Sequence, residues 1–250
     1  MHFNRYQAFG THLLGSTVVA LISAALVFLV WYPVPLSAAM GVTAIFLILL
    51  GVDVVIGPVI TLIVFDPAKK ELRRDLAIVL LLQVSALLYG MHAVFIARPA
   101  FVVFNVDRFD VISANDLTEE GLAKAQDPEL RNVPLWGPRT IAALRPQSRE
   151  ARNDLMFGAL AGGEDLHQKP QYWAQYAPQR TDVVARLQPM EKLRSLNKDD
   201  ADRVASLESK YAKYPGGIGF LAVKGKVKDL AAIVSRESGQ VLEMAPLNPW

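Results

Sequence analysis

The sequence predicts an α-helical membrane region of three transmembrane helices, residues 1–97, followed by an α+β domain with a mostly antiparallel sheet, residues 98–250. Three observations predict this. The first part contains three apolar runs that are each long enough to cross a bilayer. The second part holds 21 of the 26 Lys and Arg and 20 of the 24 Asp and Glu. It also orders one strand pattern, several helical patterns and then three strand patterns, as α+β domains do.

The first predicted span covers residues 12–32, which include no charged side chain. As a helix this run is roughly 30 Å long, the thickness of the hydrocarbon core. A cleaved signal peptide is the alternative, with Ser37-Ala38-Ala39 as its cleavage site. The run is longer than a usual signal core and a second apolar run follows it, so an uncleaved anchor is favoured. Trp31 and Tyr32 suit a membrane interface, and Pro33 and Pro35 end the helix.

The second and third spans are predicted at residues 41–65 and 76–96, joined by a charged hinge at residues 66–75. Because cytoplasmic loops are rich in Lys and Arg, the four hinge cations (Lys69, Lys70, Arg73, Arg74) place the hinge in the cytoplasm. The N-terminus, with Arg5, then lies on the same side. This N-in/C-out topology exports residues 98–250, which in a bacterium places them in the periplasm.

Asp53 lies near the middle of the second span, where an acid costs about 2.5–3.5 kcal/mol on insertion scales. Gly57 and Thr61 follow at helical spacing on the same face, and Gln83 of the third span lies nearer the hinge. Asp53 is either a protonated acid that is hydrogen-bonded within the bundle or a polar contact to a partner's helix. A proton relay is a third alternative, but a relay requires several ionisable groups. Pro58, with Gly51 and Gly57 beside it, predicts a kink in the helix near the carboxylate.

Small residues recur at the spacing that lets membrane helices approach closely. They form one stripe on the first span (Ser16, Ala20, Ala24) and one on the third (Ala86, Gly90). The three spans either pack on each other through these stripes or leave one stripe free for a partner's helix.

In the second part, residues 100–112 are predicted to form one strand and residues 118–120 to begin a short helix. Residues 130–146 are expected to be irregular, and residues 163–178 to form an aromatic-bearing loop. Helices are predicted at 148–160 (ended by Gly162-Gly163), 181–187, 190–196 and 201–213, and strands at 218–223, 227–235 and 240–244.

Several classes of chemistry are excluded or disfavoured. The chain has no cysteine, which excludes disulfides and Cys-bound zinc, and its four histidines lack metal-ligand spacing. The near-neutral second part argues against nucleic-acid binding. Asp107, Asp110, Asp116 and Glu164-Asp165 show no catalytic pattern, and His167 stands alone in the sequence. We therefore expect no cofactor, metal or enzymatic activity. Trp136 and Trp173 suit a core and an interface equally well, and they are the best candidates for a protein-contact surface.

Several stretches of the first part resemble the type IV pilin accessory proteins of the TfpX/TfpZ kind. The stretches are RYQAFGTHL at residues 5–13, WYP at 31–33, GVDVVIGP at 51–58, TLIVFDP at 61–67 and ELRRDL at 71–76. Arg98-Pro99 and Pro249-Trp250 are also similar. Residues 115–215 carry little of the resemblance and are expected to vary with the partner.

The resemblance implies a bacterial inner-membrane protein that is needed for the stability or assembly of a cognate major pilin. Its partners would be that pilin, the lipid bilayer and other pilus assembly proteins, without nucleic acid. A pilin waits in the membrane as one apolar helix with a periplasmic head. We expect the spans to contact that helix through Asp53, Gly57, Thr61 and Gln83. A membrane-anchored enzyme and a sensory or transport subunit are the alternatives.

Overall fold

Three long apolar helices form the first part of the computed structural model, which describes residues 4–161 and 163–250. They are Arg5–Trp31, Val42–Val64 and Leu72–Ile96, and each is long and apolar enough to cross a membrane. We call them span one, span two and span three. The prediction of three such helices is confirmed. Span one begins before the predicted apolar run because Asn4 and Gln7 form a capping box at its start.

The winding of spans one and two changes along their length. Span one is an α-helix (α1, Arg5–Ala25) that continues as a π-helical turn, Leu26–Trp31. After the short helix α2 (Leu36–Met40), span two consists of α3 (Val42–Leu50), a π-helical turn (Gly51–Ile56) and α4 (Gly57–Val64). Span three is the uninterrupted helix α5, Leu72–Ile96. At the position where a kink is predicted, around Asp53, span two forms a π-helical turn.

Seven strands of the second part form one sheet in the order β4-β3-β1-β2-β5-β6-β7. They are Pro99–Asn105, Arg108–Ser113, Arg139–Ala143, Trp173–Gln175, Ile218–Lys224, Leu230–Ser235 and Val241–Ala245, numbered β1 to β7 in chain order. Strands β1 and β3 pair in parallel, as do β2 and β5, and the other four pairings are antiparallel. The domain is thus α+β, as predicted, and its sheet is mixed.

The prediction of a single strand at residues 100–112 is wrong. The segment forms a hairpin of β1 and β2, whose turn is a three-residue γ-turn with the Asp107 N–H donating to the Asn105 carbonyl at 2.7 Å. Its central residue, Val106, has a φ of 64°, a conformation that is rare and strained for a β-branched residue. Asn105, Asp107 and Arg108 interrupt the apolar run, and Asn and Asp are common in turns, but the β-branched Val106 between them disfavours the positive φ that this turn requires.

Two more expectations for this part need correction. Residues 130–146 are not wholly irregular, because they contain β3, and the expected loop at 163–178 contains the short strand β4. The helices α6 to α10 are Glu119–Ala123, Arg149–Leu160, Arg180–Arg186, Met190–Leu196 and Ala201–Lys210, in agreement with the helical patterns. Gly162, expected with Gly163 to end α7, lies outside the described residues.

The two faces of the sheet bury different groups of side chains. On β1, Val102 and Phe104 face one apolar cluster, and Phe101 and Val103 face a second one that includes Trp173. The second cluster is covered by α6 and short helical turns, and a third covers β5 to β7 with α9 and α10. The first face is covered largely by the membrane region.

One continuous apolar cluster joins the spans to the sheet. From the membrane region it includes Val27, Tyr32, Leu36, Ala39, Met40, Val42, Phe46 and Val94. From the sheet it includes Val102, Phe104, Phe109, Val111, Ala142, Leu221, Val223, Leu230, Ala232 and Val234. Backbone bonds reinforce this contact, because the Ala39 carbonyl accepts from the Val227 and Lys228 N–H groups at 2.9 and 3.2 Å. The second part is therefore packed directly onto the ends of spans one and two.

Candidate functional site

Four polar side chains from all three spans meet inside the helical region, centred on Gln83. The Gln83 Oε1 lies 2.9 Å from the His12 Nε2, and the His12 Nδ1 lies 2.6 Å from the Thr61 Oγ1. The Gln83 Nε2 donates to the Ser16 Oγ at 3.2 Å and to the Asp53 carbonyl at 2.7 Å. A carbonyl only accepts, so the Gln83 amide nitrogen must face Asp53. The His12 Nε2 then carries a proton and donates a hydrogen bond to the Gln83 Oε1.

The backbone of span two explains why the Asp53 carbonyl is available. In the π-helical turn, the Gly57 N–H donates to the Val52 carbonyl, five residues back. The equivalent donor for the Asp53 carbonyl would be the N–H of residue 58. This residue is a proline, which has no N–H. An unpaired carbonyl in this environment costs free energy. The Gln83 side chain supplies the missing donor.

Gly57 provides the space that Gln83 occupies. A Cβ built at Gly57 would lie 2.6 Å from the Gln83 Cδ and Nε2 and closer still to Oε1. At Gly51, one turn and a half earlier in the same span, an added Cβ meets no atom within 4 Å. A side chain at Gly57 would therefore displace the Gln83 amide, whereas one at Gly51 would not.

The Asp53 carboxyl is buried but lacks a hydrogen-bond partner. The residue is 5% exposed, and neither Oδ1 nor Oδ2 is hydrogen-bonded within the described part of the chain. Leaving a buried polar group unpaired costs about 1–3 kcal/mol. The main chain of Asp53 is therefore satisfied within the bundle and its carboxyl is not.

Asp53 lines a cleft of about 290 Å³ between spans one and three. Span one contributes small side chains to it, among them Gly15, Ser16 and Ala20, and span three contributes Leu80, Gln83, Val84 and Leu87. Span two packs against both other spans and presents Asp53 between them. The cleft is therefore an apolar groove with one unpaired carboxyl.

The small-residue stripes serve both packing and the cleft. Ser16 and Ala20 are buried in the bundle, yet both also line the cleft. On span three, a Cβ at Gly90 would lie 2.5 Å from the Leu49 Cδ1, so Gly90 allows spans two and three to approach. Ala86 is exposed.

The two tryptophans proposed as contact residues lie in different environments, and neither joins the Asp53 network. Trp173 is 3% exposed, stacks against Phe101 and donates from Nε1 to the His167 carbonyl at 2.8 Å. It is a core residue and not a surface contact. Trp136 is 79% exposed and is followed by Gly137, whose Cβ position lies 3.4 Å from the Val30 carbonyl. Trp136 thus projects beside the end of span one.

Arg98 fixes that tryptophan-bearing loop to the end of span three. Its guanidinium donates to the Phe95 and Pro134 carbonyls at 2.8 and 3.0 Å and lies 3.9 Å from the centre of the Phe95 ring. Burial lowers the pKa of Arg98 from its usual range, although an arginine remains protonated in proteins. The loop that bears Trp136 therefore lies against the ends of spans one and three.

Two polar groups are not predicted from the sequence. His12 and Ser16 are four residues apart on one helical face, and that spacing could have identified them as neighbours. In the sheet domain, His167 is not isolated: its Nδ1 lies 3.6 Å from the Asp165 Oδ2 and 3.9 Å from the Asp110 Oδ2. Asp110 also accepts from Asn105 and Arg108. Among the described residues, no group of three His, Cys, Asp or Glu could hold a metal.

Known proteins that are similar to this chain are named fimbrial assembly proteins. The family model described as fimbrial assembly protein FimB matches residues 2–41. The chain is 35% identical over 183 residues to the fimbrial assembly protein, serogroup I, of Dichelobacter nodosus, covering 72% of this chain and 70% of the relative. It is 34% identical over 203 residues to the serogroup E1 protein of that organism, covering 80% and 74%. No solved structure matches the chain.

Proposed function

The chain belongs to the family of fimbrial assembly proteins, and from that premise we propose that it is an accessory protein of the TfpX/TfpZ type. In this proposal it is not an enzyme. It stabilises a type IV pilin in the bacterial inner membrane and presents that subunit to the assembling fibre. One part of the protein contacts the apolar helix of the subunit and the other contacts its exported head.

The observation that carries this proposal is the continuous core between the spans and the sheet. Buried side chains from the ends of spans one and two belong to the same cluster as strands β1, β2, β5 and β6. The three spans and the sheet domain therefore have a fixed relative position. A pilin has one membrane helix and one head, so a rigid partner with a membrane part and a domain can hold both at once.

The second candidate function, a membrane-anchored enzyme, rests on the Asp110–His167–Asp165 cluster. Asp110 is 3% exposed, and its carboxylate already accepts from Asn105 and Arg108 at 2.9 and 3.2 Å. These bonds account for the burial of the acid without a substrate. The cluster is therefore better explained as an ion network that stabilises the strained β1–β2 hairpin.

The test of the function is removal of the full chain from a piliated bacterium and its restoration. We expect the amount of pilin and of surface fibres to fall at least about tenfold on removal and to recover with the intact chain. Tagged protein should capture pilin from detergent-solubilised native membranes. A His167→Gln chain should restore fibres as well as the intact one does. Unchanged pilin and fibre amounts, together with no pilin in the capture, would contradict the proposal.

The proposed orientation has a separate test, made simple by the absence of native cysteine. Lys70 in the hinge and Lys213 after α10 are both exposed, so each can be replaced singly by cysteine. In cells with a permeable outer membrane, a membrane-impermeant maleimide should label the Lys213→Cys chain. It should label the Lys70→Cys chain only after lysis. The reverse labelling pattern would show that residues 98–250 face the cytoplasm.

A further inference from the structure

We propose that the cleft between spans one and three seats the membrane helix of the fibre subunit, and that the Asp53 carboxyl accepts a hydrogen bond from an N–H or O–H on that helix. This inference rests on the proposed function and specifies where, and through which chemistry, the subunit would be held. It assigns a binding role to a side chain that has no partner within the described residues.

The polar neighbours of Asp53 already have hydrogen-bond partners. The Gln83 amide donates to Ser16 and to the Asp53 main chain, and its oxygen pairs with His12. His12 uses its second nitrogen on Thr61. Gln83 and His12 therefore have no free nitrogen to offer the carboxyl. A donor from outside the chain would satisfy an acid that is otherwise expensive to keep in an apolar region.

The shape of the cleft suits a second helix. The cleft is walled by small residues on span one, and a Cβ built at Gly15 meets no atom within 4 Å. Small side chains let a helix backbone approach closely where no hydrophobic effect drives association. Because Gly15, Ser16 and Ala20 occupy adjoining turns, the groove runs along the helix axis and can receive a second helix lengthwise.

The candidate occupants of the cleft differ in whether they offer a hydrogen-bond donor to Asp53. A lipid acyl chain could fill the apolar part of the groove, but it carries no donor and would leave Asp53 unpaired. A second copy of this chain could offer Tyr89, which is 77% exposed on span three. The proposed function favours the fibre subunit over a second copy, and the experiment distinguishes all three.

The experiment places a photo-crosslinking residue at Val19 or at Val84, which line opposite walls of the cleft. Ile48, which is 72% exposed on span two and outside the cleft, is the control position. In piliated cells we expect crosslinks to the fibre subunit from Val19 and Val84 and none above background from Ile48. Crosslinks only to lipid, or only to a second copy of this chain, would overturn the proposal.

Two further pairs of variants test the cleft by filling it and by removing the acceptor. Gly15→Leu should abolish the crosslinks from Val84, whereas Gly10→Leu should retain them, because Gly10 also has open space but does not line the cleft. Asp53→Leu should reduce subunit capture roughly 5- to 30-fold, the equivalent of one membrane hydrogen bond of 1–2 kcal/mol. Asp53→Asn keeps a hydrogen-bond acceptor and should reduce subunit capture less than Asp53→Leu does. Equal capture by all four variants would overturn the proposal.

The result also separates this inference from the function on which it rests. If the subunit is captured and crosslinks only from positions in residues 98–250, the cleft assignment fails and the accessory role stands. If removal of the chain leaves pilin and fibres unchanged and no position crosslinks to the subunit, both fail.

Discussion

Replacing Gly57 by alanine is expected to lower the thermal unfolding temperature of the detergent-solubilised protein by about 2–12 °C. The added methyl group would lie 2.6 Å from the Gln83 Nε2, so the Gln83 side chain must move away from span two. It then loses its bonds to His12, Ser16 and the Asp53 carbonyl. Unpaired buried groups cost about 1–3 kcal/mol, and each kcal/mol corresponds to about 2–4 °C for a chain of this size.

Gly51→Ala is the matched control, because it makes the same chemical change in the same span where the added methyl group meets nothing. Its unfolding temperature should equal or slightly exceed that of the unchanged protein, since alanine favours a helix over glycine by about 1 kcal/mol. A double-variant cycle adds a second check. Once Gln83→Ala has removed the clash, Gly57→Ala should cost little more. Equal effects of the two glycine substitutions would refute the role given to Gly57.

Gly225→Ala is expected to loosen the contact between the sheet domain and the membrane region. A Cβ at Gly225 would lie 2.7 Å from the Ala39 carbonyl and closer to the Lys228 carbonyl, and both are main-chain atoms. Overpacking of this kind costs about 1–3 kcal/mol. It also opposes the hydrogen bonds from the Val227 and Lys228 N–H groups to Ala39. We expect faster cleavage within residues 224–229 in limited proteolysis, and fewer fibres in cells.

Lys226→Ala is the control in the same turn. It removes an ion pair with Asp116 that is partly exposed on both sides, and such pairs contribute about 0–1 kcal/mol. Its proteolysis rate and fibre count should match those of the unchanged protein within about twofold. If Gly225→Ala behaves like Lys226→Ala, the contact through Ala39 does not hold the two parts together.

Part of the candidate site could be predicted from residue types alone. An acid in an apolar span is expensive wherever it lies, so Asp53 was identifiable, and helical spacing placed Gly57 and Thr61 on its face. The pattern could not show which span would approach. Gln83 was assigned to a level nearer the hinge than Asp53, and His12 was assigned to no site. Gln83 meets span two because the π-helical turn and Pro58 leave the Asp53 carbonyl to a donor from another helix, and His12 bonds to both Gln83 and Thr61.

The sheet domain shows the same limit. Helices α6 to α10 and strands β5 to β7 follow local patterns with turn residues between them. The β1–β2 hairpin does not, because its strands are buried on both faces and its turn places Val106 at a φ of 64°. Local propensity opposes that conformation, and only the surrounding packing can hold it. The burial of Trp173 against Phe101 was hidden for a similar reason, since an aromatic side chain suits a core and an interface equally well.

By itself, the sequence determined that the chain has three apolar runs, with a cationic hinge between the second and the third, and that an α+β domain follows them. These features depend on composition and on the local period of apolar side chains, which decide directly whether a segment is more stable in lipid or in water. Only the tertiary structure decided that the spans and the sheet share one core, and that the Asp53 carboxyl stays unpaired beside an open cleft. Both depend on contacts between residues far apart in the chain, and such contacts leave no periodic pattern in the sequence.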